Sequence, residues 1–262
     1  MLAWYRFLAL ALVGAALLFA GLPQVDLVVT SWAFRPGFGF PASYWAWVGW
    51  VRSANQALMW TAVALAAILV LLLIAHRRGW TVSLRLNLIR LGRPGRLVAR
   101  GLGGLEAGAQ RRGLLALPAR LPACFLLAVA LGPGLMANAL LKEYSGRPRP
   151  SHVTEFRGQQ TFVPALTRSD QCARNCSFVS GEVSIAATWL SPALMLAGRA
   201  RMAGYALTAF LVALAAFVRV AEGGHFLSDT VFAALLTALV CVVLHDRIAR
   251  GAHVSGQPAA PC

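Results

Sequence analysis

Three short stretches of this chain combine residue types that could hold and attack a phosphate group. They contain basic side chains, a serine–glycine pair where a helix begins, and a histidine followed by an acid: Lys142 and Arg149; Ser180, Gly181 and Glu182; Arg219, His225 and Asp229. Arginine presents paired donors that match phosphate oxygens, and lysine adds a compact positive charge. Free N–H groups at a helix start also favour an anion, and glycine lets the backbone come close to it.

The histidine of the third stretch could act as a nucleophile. Asp229 follows His225 by four residues, which is one helical turn, so its carboxylate could accept the N–H of one ring nitrogen. The other ring nitrogen would then attack phosphorus and form a phosphohistidine that water hydrolyses. The sequence contains no evident set of metal ligands, so we expect no metal and no cofactor, with the basic side chains neutralising the transition state.

The composition predicts that these stretches lie at the surface of a membrane. The mean hydropathy is +0.66, and 13% of residues are charged, against about 25% in a typical soluble domain. The net charge of +15 could indicate a nucleic-acid-binding protein. Long uncharged segments interrupt that charge, however, and we therefore expect membrane lipids as partners and no nucleic acid.

Apolar runs of about 20 residues can cross a bilayer as helices, which satisfy their own backbone hydrogen bonds. The sequence predicts about six such spans, near residues 7–22, 57–76, 120–141, 181–199, 204–222 and 227–245. The first follows Arg6 and has no small-residue cleavage site before Pro23, so we expect an uncleaved span. The predicted fold class is an all-α polytopic membrane protein.

The connecting segments predict the orientation and the organisation of the chain. Residues 77–112 carry nine arginines and one acid, Glu106, and arginine-rich loops remain cytoplasmic. If six spans alternate, both termini are cytoplasmic and the three polar stretches meet at the extracytoplasmic face. We divide the chain into two N-terminal spans with an aromatic loop and the arginine-rich loop (1–118), a catalytic core (119–250) and a disordered tail (251–262).

The three stretches together resemble the signature of the type 2 phosphatidic acid phosphatase family. The resemblance covers residues 120–245 and rests on three spacings: Lys142-x6-Arg149-Pro150, Ser180-Gly181, and Arg219-x5-His225-x3-Asp229. It implies a six-helix membrane fold in the bacterial inner membrane, with metal-independent phosphate hydrolysis on the periplasmic side. It also implies a role for each residue: phosphate binding by Lys142, Arg149, Ser180, Gly181 and Arg219, nucleophilic attack by His225, and orientation of that histidine by Asp229.

Two positions depart from the family pattern. Val218 replaces a serine, which is a minor change, and Glu182 replaces the histidine that protonates the leaving group in the family. Three hypotheses follow. Glu182 donates the proton itself, if burial raises its pKa against the surrounding cations; the leaving group needs little help, as in a diphosphate; or the protein only binds phosphate.

The substrate and the chemistry remain open at the level of sequence. Lipid A phosphate is favoured because the 142–180 loop is long and its arginines suit a bulky anionic headgroup: Arg147, Arg157, Arg168 and Arg174. Undecaprenyl diphosphate and phosphatidylglycerol phosphate are alternatives, as is transfer of the phosphate to an acceptor other than water. A membrane transporter is the rival from another class.

In the 142–180 loop, Cys172 and Cys176 could form a disulfide if that side of the membrane is oxidising.

Overall fold

The computed structural model describes residues 1–111 and 119–254. In these ranges the chain is built from α-helices and short helical turns: α1 (Leu2–Gly21), α2 (Gln24–Ser31), α3 (Ala46–Arg77), α4 (Trp80–Arg90), α5 (Gly92–Arg111), α6 (Arg120–Val129), α7 (Lys142–Tyr144), α8 (Gly181–Ala187), α9 (Leu190–Leu194), α10 (Gly198–Ala221) and α11 (Leu227–Val254). The predicted all-α class is confirmed. Of the predicted disordered tail, residues to Val254 belong to α11, and the remainder lies outside the described ranges.

Five helices within the described residues are long and apolar enough to cross a membrane: Leu2–Gly21, Ala46–Arg77, Arg120–Tyr144, Gly198–Ala221 and Leu227–Ile248. Many of their large apolar side chains face outward, among them Leu10, Leu17, Leu71 and Phe217. Such surfaces would be costly in water but match the hydrocarbon of a bilayer. The chain is a multi-pass membrane protein.

The span predicted at 181–199 is not one continuous helix in the structure. It is divided into α8 and α9, and backbone bonds tighten to three-residue spacing between them, where Ser191 N–H donates to the Thr188 carbonyl at 2.9 Å. Pro192 explains the break, because it has no N–H to offer Thr188 and its ring crowds that carbonyl. Proline therefore reduces the predicted six long spans to five.

Lys142 is carried by a helix that changes its winding on the way to the site. α6 continues through a π-helical segment, Ala130–Leu141, into α7, and Pro133 lies inside this wider segment. The Asn138 side-chain amide donates to the Pro133 carbonyl at 2.7 Å. The proline removes one helical N–H donor, and the asparagine side chain adds a donor at the carbonyl of Pro133 itself.

The helices fall into two compact units, one formed by Met1–Trp60 with Leu127–Cys262 and the other by Thr61–Leu126. In the first unit α1 and α8 both pack on α11, and α8 also packs on α10. Its core contains apolar side chains from the first and last parts of the chain, including Phe19, Val183 and Phe232. The N-terminal helices α1 and α2 thus share a core with the helices that carry the three polar stretches.

The second unit contains the arginine-rich segment, where α4 packs against α5. Glu106 on α5 accepts a hydrogen bond from Thr81 at 3.1 Å, and its Oε1 lies 2.8 Å from His76 Nδ1. The hydrogen bond to His76 holds the pKa of Glu106 below its usual value. The one acid of the predicted cytoplasmic loop therefore bonds within its own unit.

Candidate active site

Backbone hydrogen bonds join the three polar stretches at one end of the first unit. The first stretch meets the second where Cys176 N–H donates to the Lys142 carbonyl at 3.2 Å and Ser177 N–H donates to the Arg147 carbonyl at 2.9 Å. The second stretch meets the third where Ser180 N–H donates to the Asp229 carbonyl at 3.2 Å. Segments that are far apart in sequence are thus held in fixed register.

The spacing between Arg219 and His225 is set by the way α10 ends. Gly224 N–H donates to the Arg219 carbonyl at 3.0 Å, and Gly223 N–H donates to the Val220 carbonyl at 3.0 Å, with Gly223 at φ +68°. This is a Schellman C-cap, which favours glycine at the left-handed position. His225 N–H donates to the same Arg219 carbonyl at 3.1 Å, so the cap brings the arginine and the histidine to one turn.

His225 is buried, and one of its ring nitrogens is fixed by the backbone. Nδ1 lies 2.6 Å from the carbonyl oxygen of Ser177 and 3.6 Å from Asp229 Oδ2. The carbonyl can only accept, so Nδ1 carries the proton and donates it there, which leaves the Nε2 lone pair available. Burial lowers the pKa of His225 to about 4, although the negative charge of Asp229 acts in the opposite direction.

Asp229, the predicted partner of that histidine, has its closest contacts elsewhere. Its Oδ2 accepts from the Ser177 hydroxyl at 2.5 Å and from Phe226 N–H at 2.9 Å, while its Oδ1 accepts from Arg147 at 2.5 Å. The bond to Phe226 is the return half of a capping box at the start of α11. Asp229 and His225 therefore share Ser177, which gives its carbonyl to the imidazole and its hydroxyl to the carboxylate.

Arg147 does not lie on the outer face, where the sequence predicted a headgroup-binding arginine. It is fully buried, donating to Asp229, to Asp26 at 2.8 Å and to the Val163 carbonyl at 2.8 Å. The other three predicted loop arginines, Arg157, Arg168 and Arg174, are exposed. Burying a guanidinium requires full pairing, and two aspartates and a carbonyl provide it here.

Asp26 of α2 completes this buried network and was not predicted from sequence. Its carboxylate accepts from the Ser228 backbone N–H at 2.8 Å and from the Ser228 hydroxyl at 2.5 Å, in addition to Arg147. It thus caps the start of α11 from another helix. Burial raises the pKa of Asp26, and the charge of Arg147 opposes that rise.

The second stretch places Gly181 directly beneath the amine of Lys142. A Cβ at Gly181 would lie 3.1 Å from Lys142 Nζ and 2.8 Å from Asn138 Oδ1, so only glycine fits without displacing them. Ser180 precedes it at the start of α8, and its hydroxyl makes no cap bond. Among the described residues, the Ser180 hydroxyl and Arg219 Nε are buried polar atoms with no hydrogen-bond partner.

Arg219 also belongs to a cluster of four charges that the sequence only partly revealed. It pairs with Glu222 and lies 3.5 Å from Glu182. Arg52 of α3 bridges the same two acids, with Nε 3.0 Å from Glu182 Oε1 and NH1 3.2 Å from Glu222 Oε2. Asn55 of α3 donates to the Glu182 carbonyl at 3.1 Å. Glu182 therefore offers its oxygens to two guanidinium groups.

Arg149 belongs to the 142–180 loop and lies at the edge of this cluster. The NH2 group of its guanidinium donates to the Asn175 carbonyl at 2.9 Å. Asn175 lies between Cys172 and Cys176, which form a disulfide. Burial lowers the pKa of Arg149, and the nearby positive charge of Arg52 lowers it further. The positive charges of Arg149 and Arg52 thus lie close together, which favours binding of an anion.

Every residue that the sequence predicted for the site lies in this region of the first unit. Sequence reasoning missed five further residues: Asp26, Arg52, Arg147 (assigned to the surface), Ser177 and Glu222. Glu222 and Ser177 lie within or beside the quoted stretches, and their polar character was the signal available. Nothing in the sequence spacing links Asp26 or Arg52 to the site, because tertiary packing alone brings them there.

Comparison with known proteins agrees with the geometry. Residues 121–250, about half of the chain, match the PAP2 superfamily. Three curated relatives are each named lipid A 4'-phosphatase: one from Francisella tularensis subsp. novicida, 39% identical over 131 residues; one from Rhizobium leguminosarum, 38% identical over 117; and one from Rhizobium etli, 37% identical over 118.

These matches cover 47%, 44% and 45% of this chain and 57%, 49% and 46% of the respective relatives. The chain thus spans about half the length of the curated relatives it matches. No solved structure gives a significant match. Through its C-terminal half, which carries the three stretches described above, the chain belongs to the PAP2 superfamily.

Proposed function

We propose that this protein is a membrane phosphatase that removes a phosphate group from an anionic lipid through a phosphohistidine. The observation that carries the proposal is a pair of buried donors without partners, the Ser180 hydroxyl and Arg219 Nε. Ser180 precedes the glycine that contacts Lys142, and the carbonyl of Arg219 binds the backbone N–H of His225. Buried polar atoms are normally hydrogen-bonded. A phosphate held by lysine, arginine and a serine hydroxyl would satisfy both.

In the proposed mechanism, Nε2 of neutral His225 attacks phosphorus. The Nε2–P bond forms while the P–O bond to the lipid breaks, and the departing oxygen takes up a proton from water to become a hydroxyl. The later attack of water on the phosphohistidine returns one proton to the solvent. Water then attacks the phosphohistidine, which releases inorganic phosphate and restores the imidazole. Lys142, Arg149, Ser180, Gly181 and Arg219 bind the phosphate and stabilise the charge on its oxygens in both steps, without a metal or a cofactor.

Asp229 is proposed to act on His225 through Ser177. The carboxylate binds the Ser177 hydroxyl, and the carbonyl of the same residue holds Nδ1. A fixed proton on Nδ1 keeps Nε2 aimed and unprotonated. The negative charge of Asp229, 3.6 Å from the ring, would also stabilise the cation that develops as Nε2 bonds to phosphorus.

Glu182 enters the proposal with a role that differs from the proton donor first expected. Its oxygens face Arg52 and Arg219, which fits a hydrogen-bond acceptor better than a donor. If Glu182 nevertheless protonates the departing oxygen, Glu182→Gln should abolish hydrolysis of a lipid monoester and spare an activated aryl phosphate, whose leaving group needs no proton. Equal loss with both substrates would support a role in binding.

Lipid A phosphate is the proposed substrate. The relatives that match this chain are named lipid A 4'-phosphatase, and the 142–180 loop exposes three arginines that suit a large anionic headgroup. Undecaprenyl diphosphate and phosphatidylglycerol phosphate are the alternatives that the same site could accept. The shared requirement is a phosphate group at the membrane surface.

The proposed location is the bacterial inner membrane with the site facing the periplasm. The relatives are bacterial, and the arginine-rich segment 77–112 favours the cytoplasm. The disulfide between Cys172 and Cys176 lies in the loop beside the site, and disulfides persist in oxidising compartments such as the periplasm.

The purified full chain in detergent tests the proposal by phosphate release from three lipids: lipid A, undecaprenyl diphosphate and phosphatidylglycerol phosphate. We expect release that persists in a metal chelator and disappears in His225→Ala. Trapping of labelled phosphate on protein, lost in the same variant, would demonstrate the phosphohistidine. Release by His225→Ala at the rate of the wild type would refute the assignment.

A further inference from the structure

Arg52 lies on α3, outside the segment that matches the superfamily, yet its guanidinium reaches the candidate site. Its side chain is 39% exposed, whereas the two acids that it bridges, Glu182 and Glu222, are 13% and 7% exposed. The two carboxylates are thus less exposed than the arginine, and both form ion pairs with its guanidinium. Part of the Arg52 side chain remains accessible although two acids bind its guanidinium.

The guanidinium is fixed in orientation by contacts on two sides. Nε lies 3.0 Å from Glu182 Oε1, NH2 lies 3.0 Å from the same oxygen, and NH1 lies 3.2 Å from Glu222 Oε2. Arginine has five N–H donors in a rigid fork. These contacts occupy three, so one N–H on each terminal nitrogen remains for another acceptor.

The charge balance favours an anion as that acceptor. Four cations surround this region, Lys142, Arg149, Arg219 and Arg52, and the cluster contains two carboxylates, Glu182 and Glu222. Arg52 is also near enough to Arg149 for its charge to disfavour that second cation. A phosphate dianion between them would bring four positive and four negative charges together and remove the repulsion.

We propose that Arg52 is a further phosphate-binding residue of this site, its fourth cation beside Lys142, Arg149 and Arg219. Glu182 and Glu222 are then positioning residues that aim Arg52 and Arg219 at the substrate phosphate. This rests on the proposed function. It also accounts for a glutamate where the family has a histidine: the carboxylate recruits an arginine from α3, and the arginine supplies the positive charge on that side of the phosphate.

The space beside Arg52 is consistent with a lipid substrate. A cavity of about 170 Å³ adjoins Arg52 and Glu182, and apart from Asn55 the rest of its lining is apolar, from α3 and α10. A substrate with its phosphate on Arg52 could place a nonpolar part there. The residue would thus separate the charged end of the ligand from its apolar end.

The test uses the full chain in detergent with Arg52→Ala, Arg52→Lys and a matched control, Arg35→Ala. Arg35 is an exposed arginine of the same half of the chain whose side chain donates only to the carbonyls of Trp32 and Phe34 among the described residues. Two quantities are measured for each variant: kcat/KM for the lipid substrate and the inhibition constant of inorganic phosphate.

Losing a charged hydrogen-bond donor to phosphate should lower kcat/KM by about 10- to 100-fold and weaken phosphate inhibition by about 10-fold or more. Arg52→Lys should fall between Arg52→Ala and wild type, because it keeps the charge but loses the fork. Added guanidinium ion should restore part of the activity of Arg52→Ala and none in Glu182→Gln, which retains the arginine.

Failure of the Arg52 inference can be distinguished from failure of the proposed function. Arg52→Ala with wild-type kcat/KM, or with reduced activity but an unchanged inhibition constant, would overturn the inference and leave the proposed function intact. A wild-type chain that neither releases phosphate nor is inhibited by it would overturn both. Arg35→Ala matching Arg52→Ala in every measurement would also remove the case for Arg52, since any lost arginine would then suffice.

Discussion

The buried state of His225 leads to a specific dependence of activity on pH. Burial lowers the pKa of the imidazole from 6.5 to about 4, and the proposed nucleophilic attack needs the neutral ring. At pH 5.5 an ordinary histidine would be about one-tenth neutral, whereas this one would be almost entirely neutral. We therefore expect kcat/KM to stay within about twofold of its plateau at pH 5.5 and to fall only as the pH approaches 4.

The same shift has a consequence for stability, with a definite sign. Between pH 4 and 6.5 the unfolded histidine binds a proton that the folded one does not, so stability is full above 6.5 and declines as the pH falls through this window. The shift corresponds to at most about 3.4 kcal/mol. His225→Gln should lose this dependence, and the exposed His152→Gln serves as the matched control, expected to keep it.

The assay is kcat/KM of the full chain from pH 3.5 to 8, with thermal unfolding followed in the same buffers. Comparing wild type with His225→Gln isolates the histidine from other groups, including Asp26, whose pKa is raised by burial. An acid limb near pH 6.5 in the free enzyme would refute the reasoning. It would mean that water reaches the ring or that the Ser177 carbonyl does not fix it.

Three further predictions test the supports of the site. Asp26→Ala should destabilise the protein by about 3 to 5 kcal/mol, measured by denaturant or thermal unfolding, because it leaves Arg147 and Ser228 short of a buried partner; Asp26→Asn should cost less. Gly181→Ala should lower kcat/KM by about 10-fold or more with little change in unfolding temperature, because its Cβ would displace Lys142 Nζ or Asn138; an unchanged rate would contradict the proposed lysine position. Ser177→Ala should reduce kcat by about 3- to 30-fold, since it removes the hydroxyl bond to Asp229 but retains the carbonyl that binds His225; wild-type kcat would exclude Ser177 as the link between them.

The residues of the candidate site were predictable to the extent that short-range geometry determines them. Arg219 and His225 are joined by a C-cap whose glycines are visible in the sequence, and Asp229 is one turn into the next helix. Hydropathy likewise located the long helices. It did not foresee the division between α8 and α9, because apolar residues continue across Pro192 although the helix ladder does not.

The features that could not be predicted are contacts between groups that are distant in sequence and meet only after folding. Arg147 looked like a surface arginine because it lies in a polar loop between Gly146 and Pro148. It is instead buried and paired with two aspartates, and one of them, Asp26, is more than a hundred residues away in sequence. The direct bond expected between His225 and Asp229 was displaced by a backbone carbonyl, and sequence patterns do not show where backbone carbonyls point.

Two of the unforeseen charged partners of the site, Asp26 and Arg52, come from the N-terminal half of the chain. Asp26 neutralises the arginine that holds Asp229, and Arg52 bridges the acids that flank Arg219. The three polar stretches therefore depend on helices outside residues 121–250, the segment by which the chain belongs to its superfamily. Because a buried carboxylate and an aimed guanidinium are sensitive to sub-ångström placement, a change in how α2 or α3 packs would alter the chemistry without touching any residue of the three stretches.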